Sequence, residues 1–404
     1  MEGAMHAEAR FTTMNRRDFL KLGGAGLAGA TLLGTAGGRV LAQTRSSLKA
    51  QFETAARKYE VPVELLLAMG YYNTLWEMPP PSASVYRKGD LGGRGDYGIM
   101  QLTRNPSRNT LGKAAKLTGL STARLKSARS ANIEGGAAFL SDLVGKSKPK
   151  RLNGWQEALT QYAETDLYAS QVYRVLRDGA SLTISTGEHL KLSPQDVEVP
   201  QVYTAQSGAT DYPQAAWRPA ASCNYTDSNR ETSYDVRKIV IHVAEGSYSG
   251  TISWFENCAA QASAHYVVNR NGGIAQCVRN EDIAWHAGWW DTNTHSIGIE
   301  HAGFIDNPDW FTKSMYHASA KLSAWCCKEH KIPIDRKHII GHDEVPGCSS
   351  SGGGVDCHTD PGPYWNWKEY MLLIYYYWLS SLSRGQVQGA TVADTEEGPS
   401  TYGR

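Results

Sequence analysis

Ten of the 12 histidines lie between His242 and His358, and all seven cysteines lie after residue 222, so the chain is chemically two different halves. An even spread would give that stretch roughly three or four histidines, and the excess asks for metal or acid–base chemistry. At 404 residues the chain is also longer than a single hydrophobic core usually serves, and two domains are expected. A formal net charge of +1, from 41 basic and 40 acidic residues, gives no electrostatic case for a nucleic-acid or polybasic membrane partner.

Hydrophobic periodicity draws the same boundary. Apolar residues at 48, 52, 55, 56 and 59 follow the helical period, and Pro62 marks the next helix start. Further helices are predicted over Leu111–Thr118, from Ser121 to Lys126, over Ile133–Val144 and over Trp155–Leu176, so residues 46–180 read as an all-α domain. Residues 181–210 are polar and aperiodic and read as a linker. Residues 211–382 then mix short strands (Lys238–Val243, Ala264–Asn269, Ser296–Glu300) with helices at Trp310–His330 and Trp367–Leu382, an α/β pattern. Residues 383–404 are poor in hydrophobes and read as a disordered tail.

The first 42 residues read as a targeting segment. Asn15-Arg16-Arg17-Asp18-Phe19-Leu20-Lys21 precedes an uncharged run from Leu22 to Gly38, and Val40-Leu41-Ala42 offers a small-residue cleavage site. The run carries seven glycines and is shorter than the roughly 20 apolar residues a membrane span needs. It resembles a twin-arginine signal, which implies export to the periplasm, the cell wall or the medium, with no membrane span once the signal is removed. In such a compartment disulfides are permitted. Cys348 and Cys357 could close the Ser349–Asp356 loop, although seven cysteines leave one over and sequence does not fix connectivity.

Two strands carry the chemistry. In Lys238-Ile-Val-Ile-His242, alternation puts His242 on the face of Val240, opposite Ile239 and Ile241. In Ser296-Ile-Gly-Ile-Glu300, Ile297 and Ile299 point one way and Glu300 the other. His342 closes Lys337-His-Ile-Ile-Gly-His, and His358 and Asp360 follow. Two imidazoles and a carboxylate with an open fourth position form a hydrolytic zinc site, and a glutamate outside the coordination shell can move the proton.

The ordered set ending at His242, Ser263-Ala-His-Tyr266, Ala284-Trp-His-Ala-Gly288, the strand ending at Glu300, Gly341-His342 and His358-Thr-Asp-Pro-Gly-Pro363 resembles the zinc-dependent N-acetylmuramoyl-L-alanine amidases of the peptidoglycan recognition protein fold. The resemblance implies a mixed central sheet flanked by helices, a bound Zn2+, and peptidoglycan or muropeptides as partners. It further implies His242, His342 and Asp360 as metal ligands, Glu300 as catalytic acid/base, and His358 in the place of an oxyanion-stabilising lysine. His358 is also a rival metal ligand to Asp360. Trp285, His286 and Tyr266 are the candidate substrate contacts, with core packing the alternative for His286.

In the first half, Leu65 to Glu77, Asp96-Tyr-Gly-Ile-Met-Gln101, Asn132-Ile-Glu-Gly-Gly136 and Gln161-Tyr162 resemble the lysozyme-like fold of lytic transglycosylases. That resemblance implies a catalytic glutamate followed by serine where this chain has Asn73 and Thr74. Asparagine supplies no proton, so the domain is expected to be non-catalytic, with Glu77 the one nearby substitute. Two other readings stand beside the amidase: a non-catalytic peptidoglycan binder, and a bifunctional amidase plus transglycosylase.

Overall fold

Three of the early helices begin at a side-chain cap, which accounts for where the chain turns. Ser47 Oγ accepts from Ala50 N at the start of Leu48–Tyr59, Asn109 caps Thr110–Thr118, and Ser121 caps Thr122–Ser127. Gly119, at φ 71°, closes the second of these in the left-handed conformation that glycine tolerates. The computed structural model describes residues 46–202, 210–346 and 358–388. Residues 1–42, on which the targeting reading falls, Cys348, Cys357 and the chain beyond Gln388 lie outside the described residues.

Helices Leu48–Tyr59, Val63–Thr74, Arg129–Val144, Gln156–Ala163 and Asp166–Asp178 bury Phe52, Leu65, Trp76, Leu140, Trp155 and Tyr173 in one core. The helix predicted over Trp155–Leu176 is two helices, parted at Glu164 (φ 57°) and restarted by Thr165, whose Oγ1 accepts from Leu167 N. This half is not all-α. Strands β1 (Asp96–Tyr97) and β2 (Leu102–Thr103) pair antiparallel, as do β3 (Ala180–Thr183) and β4 (His189–Leu192). The second pair occupies the start of the predicted linker, because Leu190 and Leu192 alternate inward and join the helical core.

The second half is built on a six-stranded mixed sheet. It contains β5 (Ala216–Trp217), β7 (Lys238–Val243), β8 (Tyr266–Val268), β9 (Ile274–Gln276), β11 (Ser296–His301) and β12 (Ile339–Gly341), in the order β12-β7-β11-β8-β9-β5. A separate antiparallel pair joins β6 (Tyr225–Thr226) to β10 (Ile283–Ala284). Strands β12, β7, β11 and β8 run parallel, while β9 is antiparallel to β8. Ile239, Ile241, Ile297 and Ile299 point to one face, under helices Lys313–Glu329 and Trp367–Gln388. The last helix continues six residues past Leu382, into the predicted tail. A Cys223–Cys258 disulfide, which spacing did not reveal, ties the approach to β6 to the chain following helix Tyr248–Phe255.

The halves meet around one buried cation. Arg94, from the loop before β1, donates through Nη1 to Ala244 O (3.1 Å) and Thr251 Oγ1 (3.0 Å), through Nη2 to Glu245 O (2.7 Å), and through Nε to Asp96 Oδ2 (3.1 Å). The guanidinium fills the space over Gly246, where a Cβ would stand 1.3 Å from Nη2. Beside it, Tyr72 Oη donates to Ser249 Oγ (2.9 Å) and accepts from Ser249 N (3.0 Å). No helix among the described residues is long and apolar enough to cross a membrane. Arg94→Met is expected to cost about 3–5 kcal/mol, the scale for breaking a buried charge network by removing one partner, measured by urea unfolding; a loss below about 1 kcal/mol contradicts the clamp.

Candidate metal centre

Three parallel strands deliver their chemistry at one end. His242 is the penultimate residue of β7, Glu300 the penultimate residue of β11, and His342 the first residue after β12. Register pairs Glu300 with His242 and Gly341 with Ile241, so the three side chains leave the carboxyl ends of neighbouring strands about 4.8 Å apart. Ligand sites in parallel sheets gather at that edge. Asp360 arrives from the loop before the last helix, fixed by Asp343 N donating to its carbonyl (3.0 Å) and Val243 N donating to Oδ2 (3.3 Å).

His242 Nδ1 lies 3.3 Å from Asp360 Oδ2, and His342 Nδ1 lies 3.2 Å from Asp360 Oδ1. Among the described residues these three form the cluster suited to a metal ion, with ligand atoms all within 4.8 Å of one another. Nδ1 of His242 and Nε2 of His342 are buried without a hydrogen-bond partner. The orphan at His242 Nδ1, on the side that faces Asp360, is what a shared cation would satisfy. Burial, followed by the His342 charge, lowers the His242 pKa to about 3, which favours the neutral imidazole that coordinates metal. Burial works against the Asp360 carboxylate, but His342 and His242 together pull its pKa well below the usual range.

Glu300 is fully buried, and neither of its carboxylate oxygens has a partner. Burial, reinforced by Asp360, raises its pKa well above the ordinary value. A buried carboxyl of raised proton affinity beside a cluster that could hold a metal is the kind of group that proton transfer uses. His358 stacks on His342 with ring centroids 3.5 Å apart, and its Nδ1 stands 4.0 Å from Asp360 Oδ1, at the rim of the cluster.

Two of the candidate substrate contacts serve other purposes. Tyr266 pairs in register with Ile299, which puts it on the face opposite Glu300; it is fully buried in the core, and its hydroxyl donates to Asn280 Oδ1 (3.0 Å). His286 is buried behind the ligand: its Nδ1 meets His242 Nε2 at 3.0 Å and its Nε2 meets Ser296 Oγ at 3.2 Å. With Ser296 Oγ donating to Thr292 O, His286 donates to Ser296 and accepts from His242, leaving His242 Nδ1 as the free lone pair. Gly298 makes room for this ring, since a Cβ there would stand 2.4 Å from its Cγ. Trp285 is half-buried with Nε1 donating to Thr226 Oγ1 (2.9 Å), while Trp289 and Trp290 are exposed. His301 is fully buried and meets the carbonyl of His242 at 2.8 Å, bracing β7.

Asn73 is buried at the end of helix Val63–Thr74, its Nδ2 donating to Ile99 O (3.1 Å). The cavity beside it is about 70 Å3, lined on one side by Asn73 and Tyr168 and on the other by Ser249 and Trp254. That is far below the roughly 300–1,000 Å3 of an organic-ligand site. Glu77 does not share the helical face of Asn73, because the helix ends at Thr74 and Leu75 and Trp76 take positive φ. Its carboxylate accepts from Ser185 N and Ser185 Oγ.

The family profile described as N-acetylmuramoyl-L-alanine amidase matches residues 232–363. N-acetylmuramoyl-L-alanine amidase A of Achromobacter lyticus is 36% identical over 177 residues, covering 41% of this chain and 96% of that protein. The 1,6-anhydro-N-acetylmuramyl-L-alanine amidase AmpD of Haemophilus influenzae is 34% identical over 118 residues, 28% of this chain and 58% of that protein. Among solved structures, a selenomethionine derivative of AmpD is similar at 24% identity and a TM-score of 0.32, over 42% of this chain and 98% of the other.

Two outcomes test this site. His286→Ala is expected to weaken metal affinity about 10–100-fold by freeing the His242 ring, read by competition with a chromophoric chelator; unchanged affinity contradicts the role. In chelator-treated protein the folded state holds a proton on Glu300 that the unfolded chain releases above its ordinary value of 4.5. Stability from that proton is complete below the unfolded value and drains as pH rises toward the folded one. Glu300→Gln has no such group, so its Tm advantage over the parent widens from pH 4.5 to pH 8; a constant gap contradicts the assignment.

Proposed function

Because the chain belongs to the N-acetylmuramoyl-L-alanine amidase family, we propose that it hydrolyses the amide between N-acetylmuramic acid and L-alanine with a zinc ion held by His242, His342 and Asp360. One observation carries the zinc reading: three ligand atoms within 4.8 Å of one another, beside a glutamate whose buried oxygens have no partner. The donor set suits a four-coordinate hydrolytic site with one open position.

Bound there, zinc would supply a Lewis acid and lower the pKa of water toward neutrality. Glu300 takes the proton of the attacking water and returns it to the departing amine. His358, protonated, donates to the carbonyl oxygen as negative charge builds on it. His286 keeps His242 in the tautomer that presents Nδ1. A pure binding protein has no use for an unpartnered buried carboxyl at this position, which argues against the non-catalytic alternative.

The helical half is read as a lysozyme-like domain without glycosidase activity. Asn73 stands in the position of the general acid, the cavity beside it is small, and Glu77 is engaged by Ser185. The same features argue against the bifunctional reading. Export by the twin-arginine route fits the substrate's place outside the cytoplasm, and the Cys223–Cys258 disulfide suits an oxidising compartment.

Glu300→Ala is expected to retain zinc and lose at least about 100-fold in kcat, while His242→Ala loses both zinc and turnover. Elemental analysis and release of new amino termini from purified peptidoglycan read the two effects separately. Full zinc content in the His242 variant, or wild-type activity in the Glu300 variant, overturns the assignment.

A further inference from the structure

The opening beside the metal cluster is a cavity of about 150 Å3, and the amidase half does not enclose it alone. One side is His342, His358, Asp360, Ile305 and Glu245, whose carboxylate accepts from Ile305 N (2.9 Å); the other is the segment 82–93 of the helical half. That segment lies more than a hundred residues before the region matched by the family profile.

The segment is seated firmly. Gly89 N donates to Ala260 O (2.8 Å), Tyr86 Oη to Ala259 O (3.3 Å), and Trp254 Nε1 to Asp90 O (3.3 Å). The Tyr86 and Trp254 rings meet edge to face at 6.0 Å, and Arg94 pins the facing loop directly after the segment. Asp90 Oδ1 is spent inside the segment, accepting from Gly92 N and Gly93 N.

Arg87 is the one lysine or arginine lining this cavity. Its side chain is 57% exposed, and its one side-chain ion pair is with Asp90 Oδ2 at 3.7 Å, beyond hydrogen-bond length. A guanidinium carries five N–H donors in a fork that fits a carboxylate, and this one is unspent. Exposed Val85, from the same segment, and Ile305 opposite it add apolar surface. A largely polar wall with two apolar patches and one guanidinium that makes no side-chain hydrogen bond beyond its loose pairing with Asp90, at the mouth of a site that cuts a peptide from a sugar, fits a short peptide bearing a carboxylate.

We propose that segment 82–93 of the helical half is a specificity wall of the amidase site, on which Arg87 binds a carboxylate of the peptide attached through L-alanine. The helical half thereby selects substrate for chemistry performed by the other half. This rests on the amidase reading above.

The test uses the full chain and a matched pair of synthetic N-acetylmuramoyl-L-alanyl peptides, whose second residue bears either a free carboxylate or its carboxamide. The wild type is expected to prefer the acid about tenfold in kcat/KM, chiefly through KM. Arg87→Ala brings the acid-to-amide ratio close to one, Arg87→Lys keeps part of the preference, and Arg87→Glu reverses it, all with unchanged zinc content. A wild type without preference, or an Arg87→Ala variant that keeps the wild-type ratio, overturns the proposal alone. A wild type that hydrolyses neither peptide overturns the amidase reading and the proposal together.

Discussion

Parallel register between β7 and β11 sets Glu300 directly beside His242, and the rest of the site is arranged around that pairing. Residues 58 positions apart in sequence become neighbours because both strands present the same face at the same end. β12 flanks β7 on its other side, so the chain leaving it delivers His342 to the same edge. The isoleucines that alternate with these residues secure the register, since a one-residue slip would bury the ionisable groups in the apolar core and expose the isoleucines. Packing of one sheet face thus positions the chemistry on the other.

The alternation in β7 and β11 was legible because β-branched residues mark one face unambiguously. Alternation singles out His242 and Glu300, while His342 and Asp360 rest on the motif resemblance; the fold brings His242, His342 and Asp360 together. Tyr266 was misassigned because its strand is three residues long, and its face is decided only by register against Ile299. His286 follows the two-residue strand β10 and has no period of its own; its place behind His242 depends on the space Gly298 leaves. The β3–β4 hairpin was read as linker because its alternation, Leu182 and Ile184 against Leu190 and Leu192, is short and set amid Ser, Thr and Gly. Arg94 was invisible for a different reason: its partners, Ala244 and Glu245, are about 150 residues away, and a backbone carbonyl has no sequence signature.

Helix Tyr248–Phe255 of the second half stands over the part of the helical half that holds Asn73, with Ser249 joined to Tyr72. The contact beside Asn73 is continuous with the one that seats the segment 82–93 next to His342 and Asp360, so a single interface shapes both cavities.

The Arg94 clamp also bears on inheritance. A lineage exchanging the helical half for another module would leave two main-chain carbonyls unpaired and a void above Gly246, and would have to repair both in the same step. The seam therefore acts as a lock on recombination, and descendants are bound to carry both halves as one cassette even where only one of them performs a reaction.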